Sequence, residues 1–490
     1  MHSTSDMDTP EPIGLPAVSP STRVADAVSH VVGDTDNSGT DESETLSSGL
    51  IVEKTGTETW KYVLSLLTVG YALNIADRQV VYILLEAMKK DMALRDWQVG
   101  AIGGLSFAVI YAAMAIPIAR LADRLNRARL IAVALAVWSV GTIAGFVVGT
   151  FSQLVAARVL VGLGESGFTP TAHSLISDTV PLRKRALGLG IFNTGQSVGG
   201  MLALAFGGVI ADLWGWRAAF LVAGVPGIVV GAAIFLTVRD PREAQNVEDR
   251  PVHASFLADA RELLASRAFK LFALGGGLYG TSAYGVAAFI YSFIARNHGE
   301  QIEGLSDIVR ASIGVHLYGP GLMGPVLGLG ALVAGVSSAI ISGYVTDVLV
   351  RRDVRSFSYV AAVPLLMAVP VFLFLFTTPN LVIALILYTL SYVLLGFVAA
   401  PVAACVQSLA RPSNRATASA MSMLALVGLG NALGPLLVGV LSDTAASGGA
   451  DSAQALRIAL LVVATIPISI ASLLFLVASR HLSKELGTKT

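Results

Sequence analysis

Charged residues are scarce in this chain. Only 13% of its 490 residues are Asp, Glu, Lys or Arg, whereas 54% are hydrophobic. Soluble domains carry about 25% charged residues, so this chain has too little charge to cover a soluble globule of its size. The mean hydropathy of +0.70 agrees. We therefore expect lipid, rather than water, to surround most of the protein.

Cysteine and the common catalytic patterns are also nearly absent. The single cysteine, Cys405, cannot form an internal disulfide, and cysteine-based metal sites lose their support. The sequence has no H-E-x-x-H, G-x-S-x-G or P-loop pattern. These absences predict a protein that is not an enzyme and that uses no metal or other cofactor.

The first 50 residues differ in composition from the rest. They are rich in Ser, Thr, Asp and Gly, and they hold nine acidic residues against one basic residue, Arg23. They contain no apolar stretch of the kind found in a secretory signal peptide. The composition predicts a disordered cytoplasmic tail over 1–55. Without these 50 residues, 24 acidic residues face 32 Lys and Arg residues, so the remainder is basic.

Apolar segments long enough to cross a bilayer recur from Trp60 onward. Glycine and proline inside them do not contradict this interpretation, because membrane helices tolerate both. The predicted segments are twelve in number: 60–85, 97–119, 129–149, 153–178, 185–210, 217–237, 269–294, 322–346, 357–376, 380–409, 414–440 and 456–479. They form one bundle of six over 56–238 and another over 269–480. A charged linker at 239–268 separates the bundles, and a tail follows at 481–490.

Loop charges predict the orientation of these segments, because cytoplasmic loops carry an excess of Lys and Arg. Basic residues collect in alternate loops, at Arg124, Arg127, Arg129, Arg183, Lys184, Arg185, Arg351, Arg352, Arg355, Arg411 and Arg415. The loops at 150–152 and 377–379 carry no charge. We expect a multi-pass protein of a cell membrane, specifically a bacterial inner membrane, with both termini in the cytoplasm. A Gly-rich insert at 295–321 then lies outside, and an amphipathic stretch at 255–264 lies in the cytoplasmic linker.

The two bundles echo each other in sequence. "ARLADRLNRARL" at 119–130 resembles "GYVTDVLVRRDV" at 343–354, and "GGVIAD" at 207–212 resembles "VGVLSD" at 438–443. The offsets, about 224 and 231 residues, match a duplicated six-helix unit. Such repeats are typical of secondary transporters, which bind substrate between the repeats near the membrane midplane.

These motifs resemble those of the major facilitator superfamily. The loop at 119–130 is similar to the signature between helices 2 and 3 of that family, with Ala119 and Asn126 in place of its usual glycines. "RVLVGLG" at 158–164 resembles the helix 4 motif that the family associates with proton coupling, and "NALGPLLVG" at 431–439 resembles its Gly-Pro motif. The resemblance implies an all-α membrane protein with twelve transmembrane helices in two pseudo-symmetric six-helix bundles.

A finer resemblance is to the Spinster branch, whose members move lysophospholipids and sphingoid phosphates. It rests on "LNIADRQV" at 73–80, "DWQVG" at 96–100 and "GLGESGFTP" at 162–170. Organic-anion porters of the same superfamily share a similar Asp-Arg pair in helix 1. The resemblance therefore leaves both substrate classes open.

Four ionisable residues lie well inside the predicted segments of the N-terminal bundle: Asp77, Arg78, Arg158 and Glu165. Each charge costs about 2.5–3.5 kcal/mol or more at the bilayer centre, so we expect them to share a polar cavity. Arg158 and Glu165 are seven residues apart and share one helix face, with Gly162 between them. Because arginine keeps its proton in this range, a proton-coupling role falls to Asp77 or Glu165. The alternative is that the ion pairs only lock helices together.

The C-terminal bundle has no comparable buried charge. Its polar side chains include four tyrosines, Tyr279, Tyr284, Tyr388 and Tyr392. One bundle would then hold a charged head group and the other an apolar body. We expect Arg78 and Arg158 to bind the phosphate or carboxylate of an anionic amphiphile, with Asn74, Glu165 and the tyrosines as further contacts. Packing or interfacial use of the tyrosines is the alternative.

Four residues at helix ends near the cytoplasm are predicted to act as gates between the bundles: Asp123, Arg127, Asp347 and Arg351. The sequence as a whole predicts a proton-coupled secondary transporter that moves a lysophospholipid or sphingoid phosphate by alternating access. Its expected partners are a small amphiphile, protons and the lipid bilayer, with no nucleic acid, and it is expected to be a monomer. The alternatives are a proton-coupled porter of a small organic anion or sugar acid, a multidrug efflux pump, and a receptor or scramblase with the same fold.

Overall fold

The structure, a computed structural model, describes residues 42–245, 256–411 and 414–486. Most of the predicted tail at 1–55 and residues 487–490 of the predicted C-terminal tail lie outside these residues. The chain divides into two compact units, Met1–Thr57 and Glu58–Thr490. The second unit holds every element given below except the first turns of α1. All regular elements among the described residues are helical.

Eight α-helices lie in the described part of the N-terminal half, residues 42–245, and several of them continue one another. They are α1 (Glu42–Asp91), α2 (Asp96–Gly100), α3 (Ser106–Arg124), α4 (Arg127–Ala144), α5 (Phe151–Glu165), α6 (Phe168–Thr179), α7 (Arg185–Trp214) and α8 (Trp216–Thr237). A π-helical turn at Ala101–Leu105 joins α2 to α3. Helix α1 begins at Glu42, earlier than the predicted apolar segment and inside the segment that the sequence analysis assigns to the tail.

The linker contains α9 (Phe256–Ala265), and the C-terminal half follows it. The helices of that half are α10 (Arg267–Asn297), α11 (Gly299–Ile313), α12 (Gly319–Val350), α13 (Ser356–Leu375), α14 (Leu381–Gly396), α15 (Ala399–Leu409), α16 (Arg415–Met423), α17 (Ala432–Ser447) and α18 (Ser452–Leu486). A π-helical segment at Leu424–Asn431 joins α16 to α17. The insert predicted as Gly-rich at 295–321 contains a helix, α11, and the amphipathic stretch of the linker forms α9.

Ten helical segments among the described residues are long and apolar enough to cross a membrane. The other two predicted segments, 60–85 and 153–178, are also helical but are not among these ten. Helix α1 carries Asp77 and Arg78, and the segment at 153–178 is divided between α5 and α6. The predicted segment at 380–409 is divided in the same way, between α14 and α15.

The two divided segments break at equivalent places. Pro170 and Pro401 are each the third residue of the helix that follows the break, and they stand 231 residues apart, like the second sequence echo. Proline lacks a backbone N–H and cannot continue the hydrogen-bond ladder of the preceding helix. Proline therefore favours a break at these two positions, although other prolines, such as Pro226 and Pro467, lie inside continuous helices.

Aromatic and small side chains fill the core of the C-terminal half. Helix α10 packs along α18, with the rings of Phe272 and Phe475 5.2 Å apart. Helix α13 packs on the same α18. In the N-terminal half α4 packs along α8 and α5. This packing fixes α5, the helix that carries Arg158 and Glu165, against its neighbours.

Candidate substrate and proton site

Arg78 of α1 and Glu165 of α5 form a close ion pair. The Nε atom of Arg78 lies 2.5 Å from Oε2 of Glu165. Glu165 is fully buried, whereas the side chain of Arg78 keeps 15% of its exposure. The arginine therefore remains accessible at one end while its partner carboxylate is enclosed.

Asp77 and Arg158 form the second, looser pair. Nη1 of Arg158 lies 3.5 Å from Oδ2 of Asp77. The other carboxylate oxygen of Asp77 is hydrogen-bonded to the hydroxyl of Thr142 on α4, which also lies 3.1 Å from the carbonyl oxygen of Trp138. Asp77 is 2% exposed. The structure thus joins the four predicted charges in two pairs, each linking α1 to α5.

A buried aromatic ring lies beside both arginines. The Cζ atom of Arg78 is 4.7 Å from the ring centroid of Phe107, and that of Arg158 is 5.5 Å from it. Tyr111, one turn further along α3, lies 4.9 Å from Arg78. Arginine is attracted to an aromatic face at these distances. Gly162 makes the arrangement possible, because a Cβ there would press on the backbone of Phe107.

Several polar atoms of the site have no hydrogen-bond partner among the described residues. They are both amide atoms of Asn74, Nε of Arg158 and Oε1 of Glu165. A buried polar atom that is left unpaired costs about 1–3 kcal/mol. The site therefore has unused donors and acceptors that can bind polar atoms of a ligand.

The predicted tyrosines of the C-terminal half form a cluster, and one of them, Tyr284, lies near the charged groups. Tyr284 of α10 interacts electrostatically with Arg78 and with Tyr392. Tyr279 interacts with Tyr284 and Tyr392, and the ring of Tyr388 lies 5.9 Å from that of Tyr392. The charged groups come from one half and this tyrosine cluster from the other.

A hydrogen bond also joins the two halves beside the site. The hydroxyl of Tyr82 on α1 donates to Oδ1 of Asn431, 3.2 Å away, at the end of the π-helical segment before α17. Tyr82, Thr142, Phe107 and Tyr111 were not singled out from the sequence. A hydroxyl or an aromatic ring in an apolar helix gives no signal of its own, and only the packing shows that these side chains face the charges.

The predicted gate residues lie apart from this site. The side chain of Asp123 lies outside the described residues, and Asp347 and Arg351 are exposed. Arg127 is fully buried and donates to both oxygens of Asp240, at 3.0 and 2.6 Å, and to Asp178 at 2.7 Å. Asp178 lies on α6 and Asp240 directly follows α8, so neither acid belongs to the C-terminal half. Arg127 thus ties α4, α6 and the segment after α8 together.

Replacing Arg127 by Ala is expected to destabilise the protein strongly. The change leaves the Asp240 carboxylate without its buried partner, and breaking a buried ion pair costs about 3–5 kcal/mol. Arg129→Ala is the matched control, because Arg129 is exposed and two positions away. Thermal unfolding of the two purified variants should give a much lower melting temperature for Arg127→Ala and a nearly unchanged one for Arg129→Ala. Equal thermal stability would contradict a structural role for Arg127.

Comparison with known proteins decides the family. The model of the Major Facilitator Superfamily matches residues 67–435. The chain belongs to this superfamily. A relative from Mycolicibacterium smegmatis described as an MFS-type efflux pump is 30% identical over 424 residues, which is 86% of this chain and 93% of the relative. The protein is therefore a membrane transporter with the twelve-helix fold of the superfamily, and it is not an enzyme.

Other relatives define the branch. Protein spinster of Drosophila melanogaster is 26% identical over 79% of this chain and 62% of its own length. A crystal structure of a bacterial homolog of the human lysosomal transporter Spinster, inward-facing and unoccupied, superposes with a TM-score of 0.76 at 26% identity. That likeness covers 87% of this chain and 98% of the other. The resemblance of this major facilitator to the Spinster branch, inferred from three short motifs, is confirmed.

Proposed function

We propose that this transporter couples protons to the movement of an amphiphilic anion, a lysophospholipid or a sphingoid phosphate. One observation carries the proposal. Two buried arginine–carboxylate pairs with unpaired polar atoms lie in one half, opposite a tyrosine cluster in the other. Intramembrane charges of this kind are costly and mark substrate and proton pathways.

The close pair supplies a physical link between anion and proton. Oε2 of Glu165 lies 2.5 Å from Nε of Arg78, so an anion takes over this donor by displacing the carboxylate. Glu165 then stays buried without its counter-ion, which is strongly unfavourable while it remains ionised. Protonation of Glu165 removes that cost. Anion binding and protonation therefore favour each other, and this coupling is reciprocal.

The stoichiometry of charge points to symport. The two acids and two arginines are neutral together, and one monoanion with one proton leaves the loaded site neutral. A neutral site avoids the cost of carrying an unpaired charge through the low-dielectric interior. Nε of Arg158, which has no partner among the described residues, is a second donor for the same head group. Two arginines can hold a phosphate through charge-assisted hydrogen bonds.

The apolar tail of the substrate is assigned to the C-terminal half. Its contribution near the site is a set of tyrosines with aromatic faces and hydroxyl tips. An aromatic side chain contacts an alkyl chain without requiring a charge partner. A relative from Danio rerio described as a sphingosine-1-phosphate transporter, 25% identical over 77% of this chain and 75% of its own length, supports the same substrate class.

A second candidate is proton-driven efflux of a cationic compound, which the similarity to the mycobacterial efflux pump favours. A cation would bind Glu165 in place of its proton, so binding would release a proton and the transport would be antiport. A small organic anion without a tail is the remaining alternative, and it would use the same arginines.

Transport into proteoliposomes under an imposed pH gradient tests the proposal. A labelled lysophospholipid or sphingoid phosphate is expected to move with the protons, and a protonophore should abolish its accumulation. A series of alkyl phosphates of increasing chain length should bind more tightly as the chain grows. Accumulation of a permanently cationic dye against the proton flow, with no movement of the phosphates, would favour efflux. Chain-length independence would favour a small organic anion.

A further inference from the structure

The two halves meet at one end of the bundle, called here the closed end and formed by Arg296 and residues 86–97, 208–212, 318–321 and 439–443. Asp443, near the end of α17, accepts hydrogen bonds from the backbone N–H groups of Asp96, at 3.1 Å, and Trp97, at 2.9 Å. These are the first residues of α2, which continues through the π-helical turn into α3. A carboxylate of the C-terminal half therefore caps a helix of the N-terminal half.

The same contact occurs with the halves exchanged. Asp212, near the end of α7, accepts a hydrogen bond from the backbone N–H of Gly321, 2.9 Å away, in the first turn of α12. Asp212 and Asp443 are 231 residues apart, and Trp97 and Gly321 are 224 apart. These are the two offsets of the internal repeat. The duplicated chain thus places two equivalent caps across the same interface.

A glycine four residues before each acid completes the pattern. A Cβ on Gly208 would collide with the carbonyl oxygen of Pro320, and a Cβ on Gly439 would collide with that of Asp96. Asp96 and Pro320 are again 224 residues apart. The glycine lets the two backbones touch, and this contact brings the carboxylate within reach of the opposing helix.

About one helical turn from these contacts, the helices of the two halves also approach each other closely at equivalent positions. Gly100 lies against the carbonyl oxygen of Pro435, and Gly324 lies against that of Leu204. Each carbonyl belongs to the residue four positions before the glycine of the Gly-x-x-x-Asp segment. The two contacts therefore agree over more than one helical turn, which a single chance cap would not produce.

One of the two contacts has an additional ion-pair network. Arg296 of α10 lies 2.8 Å from both Glu86 and Asp96, and Lys89 lies 2.6 Å from Asp96. Arg296 belongs to the C-terminal half and its acidic partners to the N-terminal half. The network reinforces the cap on α2, whereas Asp212 takes part in no ion pair within the part of the chain that the structure describes.

We propose that "GGVIAD" and "VGVLSD" are a pair of clamps, and that the closed end opens only when both release. Each clamp consists of a glycine that admits a helix of the other half and an acid that caps its N-terminus. The first N–H groups of a helix lack partners within the helix, and a carboxylate near them is also favoured by the helix dipole. Water can replace the carboxylate when the end opens. The contact is therefore weak enough to be broken and remade in each transport cycle, whatever the substrate.

Distances between spin labels across the closed end test this proposal. Labels on Val147→Cys and Ser447→Cys would be introduced in a Cys405→Ala background and measured in nanodiscs. Val147 is 77% exposed and precedes Val148, whose carbonyl oxygen accepts from Arg217, the partner of Asp91. Ser447 is exposed and stands four residues after Asp443. Asp212→Ala and Asp443→Ala should each raise the ratio of open to closed molecules by roughly three- to tenfold, the equilibrium effect of losing a helix cap. The free-energy effects of the two substitutions should add in the double variant, because the two sites are distant from each other. Gly208→Val should hold the end open.

Two controls keep the result specific. Asp451→Ala removes a cap of α18 within its own half, where Asp451 accepts from Ala453 and Gln454. Gly304→Val adds the same side chain where a Cβ meets open space. Both should keep the short distance of the unmutated protein. If Gly208→Val does not fold, the two Asp variants decide the question. A shift in only one Asp variant, in neither, or an equal shift in the controls would overturn the proposal.

Discussion

Replacing Glu165 by Gln is expected to abolish proton-driven accumulation of the anionic amphiphile while leaving its binding measurable. The amide keeps nearly the same shape and can still contact Arg78, but it cannot gain or lose a proton. The anion then binds Arg78 without any change in protonation, so the link between the two ligands is lost. Accumulation under a pH gradient should fall to the level of protein-free liposomes, whereas exchange of labelled for unlabelled substrate should continue.

The matched control is Glu303→Gln on α11, which makes the same change at an exposed carboxylate outside the candidate site. This variant should transport like the unmutated protein. The pH dependence gives an independent measurement. The rate of exchange should rise as the pH falls in the unmutated protein, because protonated Glu165 releases Arg78, and it should be flat in Glu165→Gln. Retained proton-driven accumulation in this variant, together with its loss in Asp77→Asn, would move the coupling to Asp77.

The fold could be predicted from sequence because the bilayer imposes simple rules on it. Each of the twelve apolar segments falls on helical structure, since a chain in lipid must satisfy its backbone groups internally. The breaks after Glu165 and Gly396 were not predicted. Pro170 and Pro401 are visible in the sequence, but many membrane helices accommodate a proline, and only the packing decides whether a helix divides there.

The charged residues of the candidate site could be predicted from the sequence, whereas the uncharged residues packed against them could not. Asp77, Arg78, Arg158 and Glu165 stand out because charge is expensive inside a membrane, and the structure brings all four together. How they pair did not follow from spacing, because it depends on the rotation of α1 against α5. Phe107 had no signal, since one buried aromatic ring in an apolar helix looks like any other.

For the predicted gate residues, the sequence motif did not show which contacts they make. The gate role of Arg127, predicted from its position in a loop motif, stays a prediction, and the acidic partners that the structure gives it are Asp178 of α6 and Asp240 directly after α8. The contacts that join the halves at the closed end involve Asp212 and Asp443. In the sequence these two residues stood out only as equivalent positions of the internal repeat. A repeat reveals that two segments are equivalent. What they do depends on the helix that each one meets.

Replacing Arg158 by Ala is expected to weaken binding of anionic amphiphiles by about 10- to 100-fold, since a hydrogen bond to a charged group contributes about 1.5–3 kcal/mol. Its Nε is free of partners among the described residues, and its pairing with Asp77 at 3.5 Å is loose. An anion can thus recruit Arg158 without breaking a close ion pair. Arg78 differs, because its removal also strands Glu165 and mixes a binding defect with a coupling defect.

Paired ligands make this measurement specific. An alkyl phosphate and the neutral alcohol with the same alkyl chain share the same tail, so their affinities differ only through the head group. Arg158→Ala should lower the affinity for the phosphate and leave that for the alcohol nearly unchanged, whereas Arg310→Ala, which removes an exposed arginine of α11, should change neither. Equal losses for both ligands would mean that Arg158 braces α1 against α5 rather than binding the substrate. The two halves would then divide the substrate differently, and the anion would have to be held by Arg78 alone, in direct competition with Glu165.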